Sequence, residues 1–132
     1  MKLREIMRAD APTASVEETA TAAWDRMVTL GVDHLVVVKN RDLVGVLSWH
    51  DLVGPVDGVR RRMGRRVGDL MRRDVLTAGP RTSVAHAADL MRRRRVGCLP
   101  IVERDKLVGI VTTSDLLGVL ARGRAAALRP RA

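Results

Sequence analysis

The apolar positions of this chain form two pairs of short runs. Leu35–Val38 and Leu43–Leu47 are separated by Lys-Asn-Arg-Asp, and Leu99–Val102 and Leu107–Val111 are separated by Glu-Arg-Asp-Lys. All four runs are rich in the β-branched and aliphatic residues that favour strands. Short apolar runs around a polar break predict a β-hairpin, so we expect one hairpin in each half of the chain.

A helical pattern precedes each hairpin. Apolar residues recur there at spacings of three and four, which is typical of an amphipathic helix. They are Ala20, Ala23, Trp24 and Met27 in the first half and Val84, Ala87, Ala88 and Met91 in the second. Ser15 is the expected N-cap of the first helix, which should end near Gly31.

Further elements flank these on both sides. A short extended piece comes before each helix, at Asp10–Ala14 and Asp74–Ala78. A second helix follows each hairpin, at Trp49–Val53 and Thr113–Ala121. The predicted order of elements is therefore β-α-β-β-α in both halves.

The two halves are copies of one unit. When the chain is shifted by 64 residues, positions 7–52 align with 71–116 without a gap, and the identical pairs include Met7/Met71, Arg8/Arg72, Gly45/Gly109 and Asp51/Asp115. A hairpin this small cannot bury both faces of its sheet alone. We therefore predict an α/β fold in which two tandem β-α-β-β-α repeats pack about a pseudo-twofold axis.

The repeat also divides the chain. We expect a first repeat at residues 1–58, a basic linker at 59–66, a second repeat at 67–121 and a tail at 122–132. The tail lacks apolar periodicity, so we expect it to be disordered.

Each hairpin ends in Ser or Thr, two further residues and Asp. Ser48 with Asp51, and Thr112 with Asp115, have the spacing of a capping box that stabilises a helix start. A second interpretation is ligand binding, because an Asp one turn into a helix can accept hydrogen bonds from the vicinal hydroxyls of a ribose. The free amides of a helix start also suit phosphate. Both interpretations can hold together, since the cap would position the carboxylate.

Composition narrows the class of protein. Hydrophobic residues make up 46% of the 132, and the single cysteine, Cys98, excludes an intramolecular disulfide. No apolar run reaches the roughly 20 residues that span a bilayer, and MKLREIMRAD is unlike a signal peptide. We expect a cytoplasmic protein that does not associate with membranes. No catalytic triad, carboxylate pair or metal-ligand spacing is present, so we expect no enzyme, no metal and no cofactor.

Charge is unevenly distributed. Residues 1–53 hold 6 basic and 8 acidic residues, whereas residues 54–132 hold 18 basic and 7 acidic residues. A basic half can attract a nucleotide, a nucleic acid or an acidic protein. Arg92–Arg95 suits a solvated helix end, and contact with phosphate or with nucleic acid remains an alternative for these residues. The lack of Phe and Tyr for base stacking argues against nucleic acid.

Three stretches, VGCLPIVERDKLVGIVTTSDLL, VGDLMRRDVLT and GVDHLVVVKNRDLVGVLSWHDL, together resemble a tandem pair of CBS domains, the Bateman module, over about residues 1–121. The resemblance implies a stand-alone regulatory sensor, as in many bacterial proteins. Such a module binds AMP, ADP, ATP or S-adenosylmethionine in clefts between the repeats, and the ligand shifts their packing. It also implies a homodimer that acts on an unidentified regulated protein.

The resemblance implies one ligand site on each copy. In the site of the second copy, Asp115 would hold the ribose diol. The other implied contacts are Thr112 and Ser114 for ribose or phosphate, Gly97 and Cys98 near the phosphates, and Pro12 and Val32 at the adenine.

In the site of the first copy, Asp51 would hold the ribose. The other implied contacts are Ser48 and His50 beside it, His34 facing the phosphates, and Leu76, Val96 and Gly97 at the adenine. Family members that bind phosphate often carry His-Arg where this chain has Asp33-His34 and Gly97-Cys98, so we expect at most moderate affinity. Two alternatives remain open: a basic nucleic-acid-binding protein that uses this fold as a scaffold, and a protein-interaction module with vestigial clefts.

Overall fold

A computed structural model describes residues 1–53 and 64–127 of the chain. It is a mixed α/β fold with two sheets, as the sequence predicts. The chain divides into two compact units, one of which combines the first ten residues with the second half of the chain. Ala11–Leu76 forms one, here called the first-repeat unit, and Met1–Asp10 with Thr77–Ala132 forms the other, here called the second-repeat unit.

Among its described residues, the first-repeat unit contains a three-stranded sheet and three helices. In chain order its elements are β1 (Thr13–Ser15), α1 (Ala20–Leu30), β2 (His34–Lys39), β3 (Asp42–Ser48), α2 (Trp49–Val53) and α3 (Val67–Leu70). Strand β1 pairs in parallel with β2, and β2 pairs antiparallel with β3. The predicted hairpin is therefore present, and each strand extends one residue beyond its apolar run at both ends.

The second-repeat unit is built on a two-stranded antiparallel sheet. Its elements are a 3-10 helix (Leu3–Glu5), α4 (Val84–Arg94), β4 (Cys98–Glu103), β5 (Lys106–Thr112) and α5 (Thr113–Ala127). The extended piece predicted at Asp74–Ala78 forms no strand. Only Ala78 pairs with the sheet, through a single parallel bridge to Ile101.

Both hairpins turn through two residues with positive φ. Asn40 and Arg41 have φ of 51° and 71°, and Arg104 and Asp105 have φ of 52° and 63°. Two positive φ values are what the tight turn of a twisted hairpin requires. Asn and Asp adopt this conformation readily, and they occupy one position in each turn.

The start of α1 corrects the predicted cap. Thr19 is the N-cap, and its hydroxyl accepts a hydrogen bond from the Ala22 amide at 3.2 Å. Ser15 instead ends strand β1, where it pairs with Val38, because the chain stays extended longer than the apolar spacing suggests. The end of the helix is as predicted, since Gly31 caps it in the left-handed conformation at φ 67°.

The helix α5 is longer than predicted. Residues 122–127, assigned from the sequence to a disordered tail, continue this helix to Ala127. Three consecutive alanines favour a helix even without an apolar face, which the periodicity argument overlooked. Residues 128–132 of the predicted tail and residues 59–63 of the predicted linker lie outside the described residues.

In each unit a segment from across the repeat boundary pairs with the edge of the hairpin. Arg8 exchanges backbone hydrogen bonds with Ile110 at 2.9 and 3.0 Å, and Arg72 does so with Val46 at 3.0 and 2.9 Å. The neighbouring glycines permit this approach: a Cβ on Gly109 or Gly45 would lie 2.8 Å from the carbonyl oxygen of Arg8 or Arg72. The two segments therefore lie directly against the strands that lead to the candidate site.

The core of each unit is aliphatic. In the first-repeat unit it is formed by Ala14, Ala20, Ala23, Met27, Leu35, Val37, Leu47, Leu52, Val67 and Met71. Leu99, Ile101, Ile110 and Val111 are buried in the second-repeat unit. Among the described residues, no helix has both the length and the apolar character needed to cross a membrane.

Candidate functional site

Asp51 is held at the end of β3 by a complete capping box. Its Oδ2 accepts hydrogen bonds from the Ser48 amide at 2.8 Å and from the Ser48 hydroxyl at 3.0 Å. The Asp51 amide donates in return to the Ser48 Oγ at 3.4 Å. The sequence pattern thus produces the predicted cap, and it fixes the orientation of the carboxylate.

Asp115 is held in the same way at the end of β5. Its Oδ2 accepts from the Thr112 amide at 2.8 Å and from the Thr112 hydroxyl at 3.0 Å, and its amide donates to Thr112 Oγ1 at 3.3 Å. The three distances agree with those around Asp51 to within 0.1 Å. The duplicated motif therefore builds the same local structure twice.

An arginine contacts the second oxygen of each carboxylate. Arg72 Nε lies 3.4 Å from Asp51 Oδ1, and Arg8 Nε lies 3.5 Å from Asp115 Oδ1. The side chains of the two arginines are 60% and 58% exposed, whereas each carboxylate is only 13% exposed. Sequence reasoning noted these arginines as an identical pair but gave them no role. Their place beside identical methionines in the repeat was the available signal.

His34 lies beside the first carboxylate group. It is directly opposite Ser48 in the register of β2 and β3. Its Nδ1 lies 2.9 Å from Asp33 Oδ1, and its side chain is 17% exposed. The register therefore places His34 next to Ser48, whose amide and hydroxyl bind Asp51, whereas His50 is an exposed residue of α2.

The second copy places smaller groups at the matching positions. Cys98 lies opposite Thr112 in the register of β4 and β5, and it is buried. The carbonyl of Gly97 accepts from the Thr113 amide at 3.0 Å and from the Thr113 hydroxyl at 3.4 Å. Ser114 is exposed. No charged side chain is present at positions 97 and 98 of this copy.

The predicted adenine walls are partly buried apolar residues. Pro12, Val32 and Leu76 belong to the first-repeat unit, and Val96 belongs to the second-repeat unit. Each predicted adenine site combines residues of both units, so these assignments stay predictions.

An aromatic pair supports the helix that carries Asp51. Trp49, the first residue of α2, stacks on Trp24 of α1 with ring centroids 3.9 Å apart and planes inclined by 24°. The periodicity assigned Trp24 to the apolar face of α1 but did not identify its partner. This stack ties the start of α2 to α1.

Two carboxylates have lowered pKa values. The pKa of Glu18 lies below its usual value chiefly because Arg26 hydrogen-bonds to it, and the pKa of Asp89 is lowered by hydrogen bonds from Arg92 and Arg93. Neither group belongs to the capping boxes. Within residues 1–53 and 64–127, no group of three His, Cys, Asp or Glu is placed to hold a metal ion.

Comparisons with known proteins identify relatives across most of the chain. Inosine-5'-monophosphate dehydrogenase of Methanocaldococcus jannaschii is 34% identical over 118 residues, which are 88% of this chain and 23% of that protein. The uncharacterized protein MJ1232 of the same organism is 33% identical over 111 residues, which are 83% of this chain and 35% of that protein. The chain therefore spans about a third or less of the length of these relatives.

Two solved structures share the fold. The CBS domain pair of protein MJ0100, in complex with 5′-methylthioadenosine and S-adenosyl-L-methionine, has a TM-score of 0.81 and 24% identity, over 94% of this chain and 98% of that chain. CBSX2 in complex with AMP has a TM-score of 0.80 and 23% identity, over 93% and 98%. At these identities the likeness establishes the fold.

A family model described as the CBS domain matches residues 3–57 and again residues 67–122. The two matches correspond to the two copies found in the sequence and together cover most of the chain. The chain belongs to the CBS domain family and carries two CBS domains in tandem.

Proposed function

We propose that the protein is a non-catalytic sensor of an adenosine-containing ligand, whose ribose is held by Asp51, by Asp115 or by both. The observation that carries the proposal is the repeated carboxylate: each is fixed by a capping box and has a second oxygen directed away from the cap. An ionised carboxylate accepts hydrogen bonds and cannot donate them, which matches a pair of vicinal hydroxyls.

The ligand class is supported by the fold neighbours. One is described in complex with AMP and the other with 5′-methylthioadenosine and S-adenosyl-L-methionine. These three compounds share adenine and a ribose diol and differ at the 5′ position. The proposal therefore assigns the shared part of the ligand to the carboxylates. Binding would act on a regulated protein by shifting the population of conformations.

The proposal includes a cytoplasmic homodimer. Exposed apolar side chains lie on helices of both units: Val28 and Leu30 are 61% and 54% exposed at the end of α1, and Leu117 and Leu120 are 58% and 67% exposed on α5. Apolar side chains of this size favour burial against another surface. The chain has a single cysteine, Cys98, and such sparse use of cysteine is in keeping with a reducing compartment. Light scattering after gel filtration tests the dimer.

Thermal unfolding with a panel of AMP, ADP, ATP, 5′-methylthioadenosine and S-adenosylmethionine tests the sensor proposal. A ligand at a hundred times its dissociation constant adds about 2.7 kcal/mol to the free energy of unfolding. We expect at least one compound to raise the melting temperature, and the double variant Asp51→Asn/Asp115→Asn to lose that shift.

The matched control is Asp42→Asn/Asp105→Asn, which removes two exposed carboxylates near the hairpin turns and keeps Asp51 and Asp115. It should retain the ligand shift. The proposal fails if no adenosine compound shifts the wild type, or if the double Asn variant responds as the wild type does.

A second candidate function is electrostatic binding of nucleic acid, which the basic end of α4 favours. Arg92 and Arg93 bind Asp89, and Arg94 and Arg95 are exposed beyond them. Binding through phosphate contacts alone weakens steeply with salt. Affinity for DNA or RNA that falls steeply with salt and is lost with Arg94→Gln/Arg95→Gln would favour this function.

A further inference from the structure

Each capping box determines which carboxylate oxygen a ligand can reach. Oδ2 of Asp115 already accepts two hydrogen bonds from Thr112, at 2.8 and 3.0 Å. A carboxylate oxygen has two lone pairs, so Oδ2 has no further capacity. A diol at this site must therefore use Oδ1, the oxygen that lies 3.5 Å from Arg8 Nε.

The same arrangement holds at Asp51. Its Oδ2 accepts from the amide and the hydroxyl of Ser48, and its Oδ1 lies 3.4 Å from Arg72 Nε. A ribose held by either carboxylate is consequently held next to a guanidinium. The 5′ substituent is attached to the same ribose ring, and the guanidinium is more than half exposed, which leaves it able to turn toward that substituent.

The two arginines keep most of their donors available. Each contacts its carboxylate through Nε, and the two Nη atoms of a guanidinium carry four further N–H donors. Among residues 1–53 and 64–127, the Arg8 and Arg72 side chains have no other hydrogen-bond or ion-pair partner. A guanidinium that is more than half exposed and anchored at one edge can direct the other edge to a planar or tetrahedral anion.

The positions where phosphate-binding family members often carry His-Arg are Asp33-His34 and Gly97-Cys98 in this chain, and they hold no arginine or lysine. Gly97 and Cys98 carry no charge, and the His34 ring is taken up by the Asp33 carboxylate at 2.9 Å. Exposed Asp33 would repel a phosphate. Among residues 1–53 and 64–127, Arg8 lies against the Asp115 carboxylate and Arg72 lies against the Asp51 carboxylate.

We propose that Arg8 and Arg72 are the specificity-determining residues of the two sites, and that they select adenosine ligands with an anionic 5′ group. This inference rests on the proposed function and specifies its ligand class: an adenosine phosphate, in preference to the neutral thioether 5′-methylthioadenosine or the sulfonium S-adenosylmethionine. The guanidinium attracts a phosphate and repels a sulfonium, whereas the neutral thioether gains nothing from the charge.

The test is isothermal titration of AMP, 5′-methylthioadenosine and S-adenosylmethionine into the wild type and into Arg8→Gln/Arg72→Gln. A hydrogen bond to a charged group contributes enough to give about a tenfold effect. We expect the wild type to prefer AMP over 5′-methylthioadenosine by about tenfold, and the double Gln variant to lose that preference by weakening AMP alone.

Two controls separate charge from folding. Arg73→Gln removes one charge from the adjacent residue, whose guanidinium donates to the Gly68 carbonyl at 3.1 Å, and it should retain the preference for AMP. Arg8→Lys/Arg72→Lys keeps both charges and should retain most of it. Far-UV circular dichroism confirms that each variant is folded.

Three results overturn the inference. The first is a wild type that binds 5′-methylthioadenosine or S-adenosylmethionine at least as tightly as AMP. The second is a double Gln variant that weakens AMP and 5′-methylthioadenosine equally, and the third is one that weakens neither. In each of these cases the sensor proposal itself survives, because an adenosine ligand still binds. A wild type that binds none of the five compounds AMP, ADP, ATP, 5′-methylthioadenosine and S-adenosylmethionine instead refutes both proposals.

Discussion

The two units share the capped carboxylate and its arginine, and they differ in the residues around this group. In the first-repeat unit the sheet has three strands, α2 starts on a Trp24–Trp49 stack, and Glu18 pairs with Arg26 at 2.6 Å. In the second-repeat unit the sheet has two strands. The positions 64 residues after those four side chains are Ala88, Thr113, Thr82 and Leu90.

The ends of the matching helices differ most. Helix α1 ends in Val28-Thr29-Leu30 with Gly31 as its cap, whereas α4 ends in Arg92-Arg93-Arg94 with Arg95 as its cap. Both caps are left-handed, at φ 67° and 55°. One end is apolar and the other is strongly basic, although the backbones end in the same way.

The contacts around the carboxylate are the part of the repeat that both copies keep. The capping box, the arginine on Oδ1 and the glycine that admits the arginine backbone are present in both copies at nearly equal distances. The sheet edge, the aromatic stack and the helix ends have diverged. The shared network is therefore local and does not depend on the surroundings that differ.

The largest predicted effect is the loss of stability caused by Gly45→Ala and by Gly109→Ala. A Cβ at either position would lie 2.8 Å from a backbone carbonyl oxygen, and it would approach the sulfur of Met71 at 2.6 Å or of Met7 at 2.9 Å. Overpacking of this kind costs about 1–3 kcal/mol. We expect both variants to lower the free energy of unfolding in urea by similar amounts.

Gly123→Ala is the control for that pair. Gly123 lies in α5, and nothing lies within 4 Å of a Cβ there, so alanine should stabilise the helix by about 0.5–1 kcal/mol. If Gly45→Ala or Gly109→Ala behaved like Gly123→Ala, the close approach of the Arg72 or Arg8 segment would be wrong.

The next effect compares the two caps. Ser48→Ala and Thr112→Ala each remove a hydroxyl that donates to the carboxylate and accepts from its amide. Loss of a cap of this type costs about 1 kcal/mol, and urea unfolding measures it. Ser114→Ala, at an exposed position beside the second cap, should be nearly neutral. A neutral Ser48 variant beside a costly Thr112 variant would show that the two networks are energetically different.

The helix ends give effects of opposite sign. Gly31→Ala places a Cβ at φ 67° and should destabilise by about 1 kcal/mol. Arg95→Gly removes the strain of a side chain at φ 55°, but it also removes a positive charge that complements the helix C-terminus. We therefore expect the free energy of unfolding to rise by about 0.5 kcal/mol. Thermal unfolding measures both. A stabilised Gly31→Ala variant would contradict the left-handed cap of α1.

The smallest effect depends on pH and is expected in the first-repeat unit. Arg26 lowers the folded pKa of Glu18 below 4.5, so the pair stabilises the fold above that value and loses its contribution as pH falls through the folded pKa. The pair is partly exposed, so we expect about 0.5 kcal/mol. Glu18→Gln should lower stability in urea at pH 7 and make no difference at pH 2. Glu17→Gln is the exposed control, and an equal effect of Glu18→Gln at both pH values would exclude the ion pair.

Local patterns predicted what local physics determines. The hairpins, the apolar faces of α1 and α4 and the capping boxes follow from spacing along the chain, and the ends of the four hairpin strands were placed within one residue. The extended pieces before the helices were placed less well, since β1 begins three residues after the predicted Asp10 and Asp74–Ala78 forms no strand. The predicted Ser15 cap was wrong because the chain stays in strand β1 through Ser15 and the helix begins later. The predicted end of α5 was wrong because the helix propensity of alanine extends it beyond the last apolar position.

Contacts between distant residues could not be read in this way. The pairing of Arg8 with Ile110 and of Arg72 with Val46 joins segments across the repeat boundary, and it alone places the two arginines on the carboxylates. The Trp24–Trp49 stack likewise joins two helices. The sequence signal for the arginines was only their identity in the two copies, beside a methionine that packs on a glycine.

A crystal structure of the protein grown with AMP would show directly whether the two carboxylates hold the ribose. We expect ribose hydroxyl oxygens about 2.5–3.0 Å from Oδ1 of Asp51 or Asp115, with Oδ2 still bound to its cap. A nucleotide bound away from both carboxylates, with Arg72 and Arg8 still on Oδ1, would contradict this expectation.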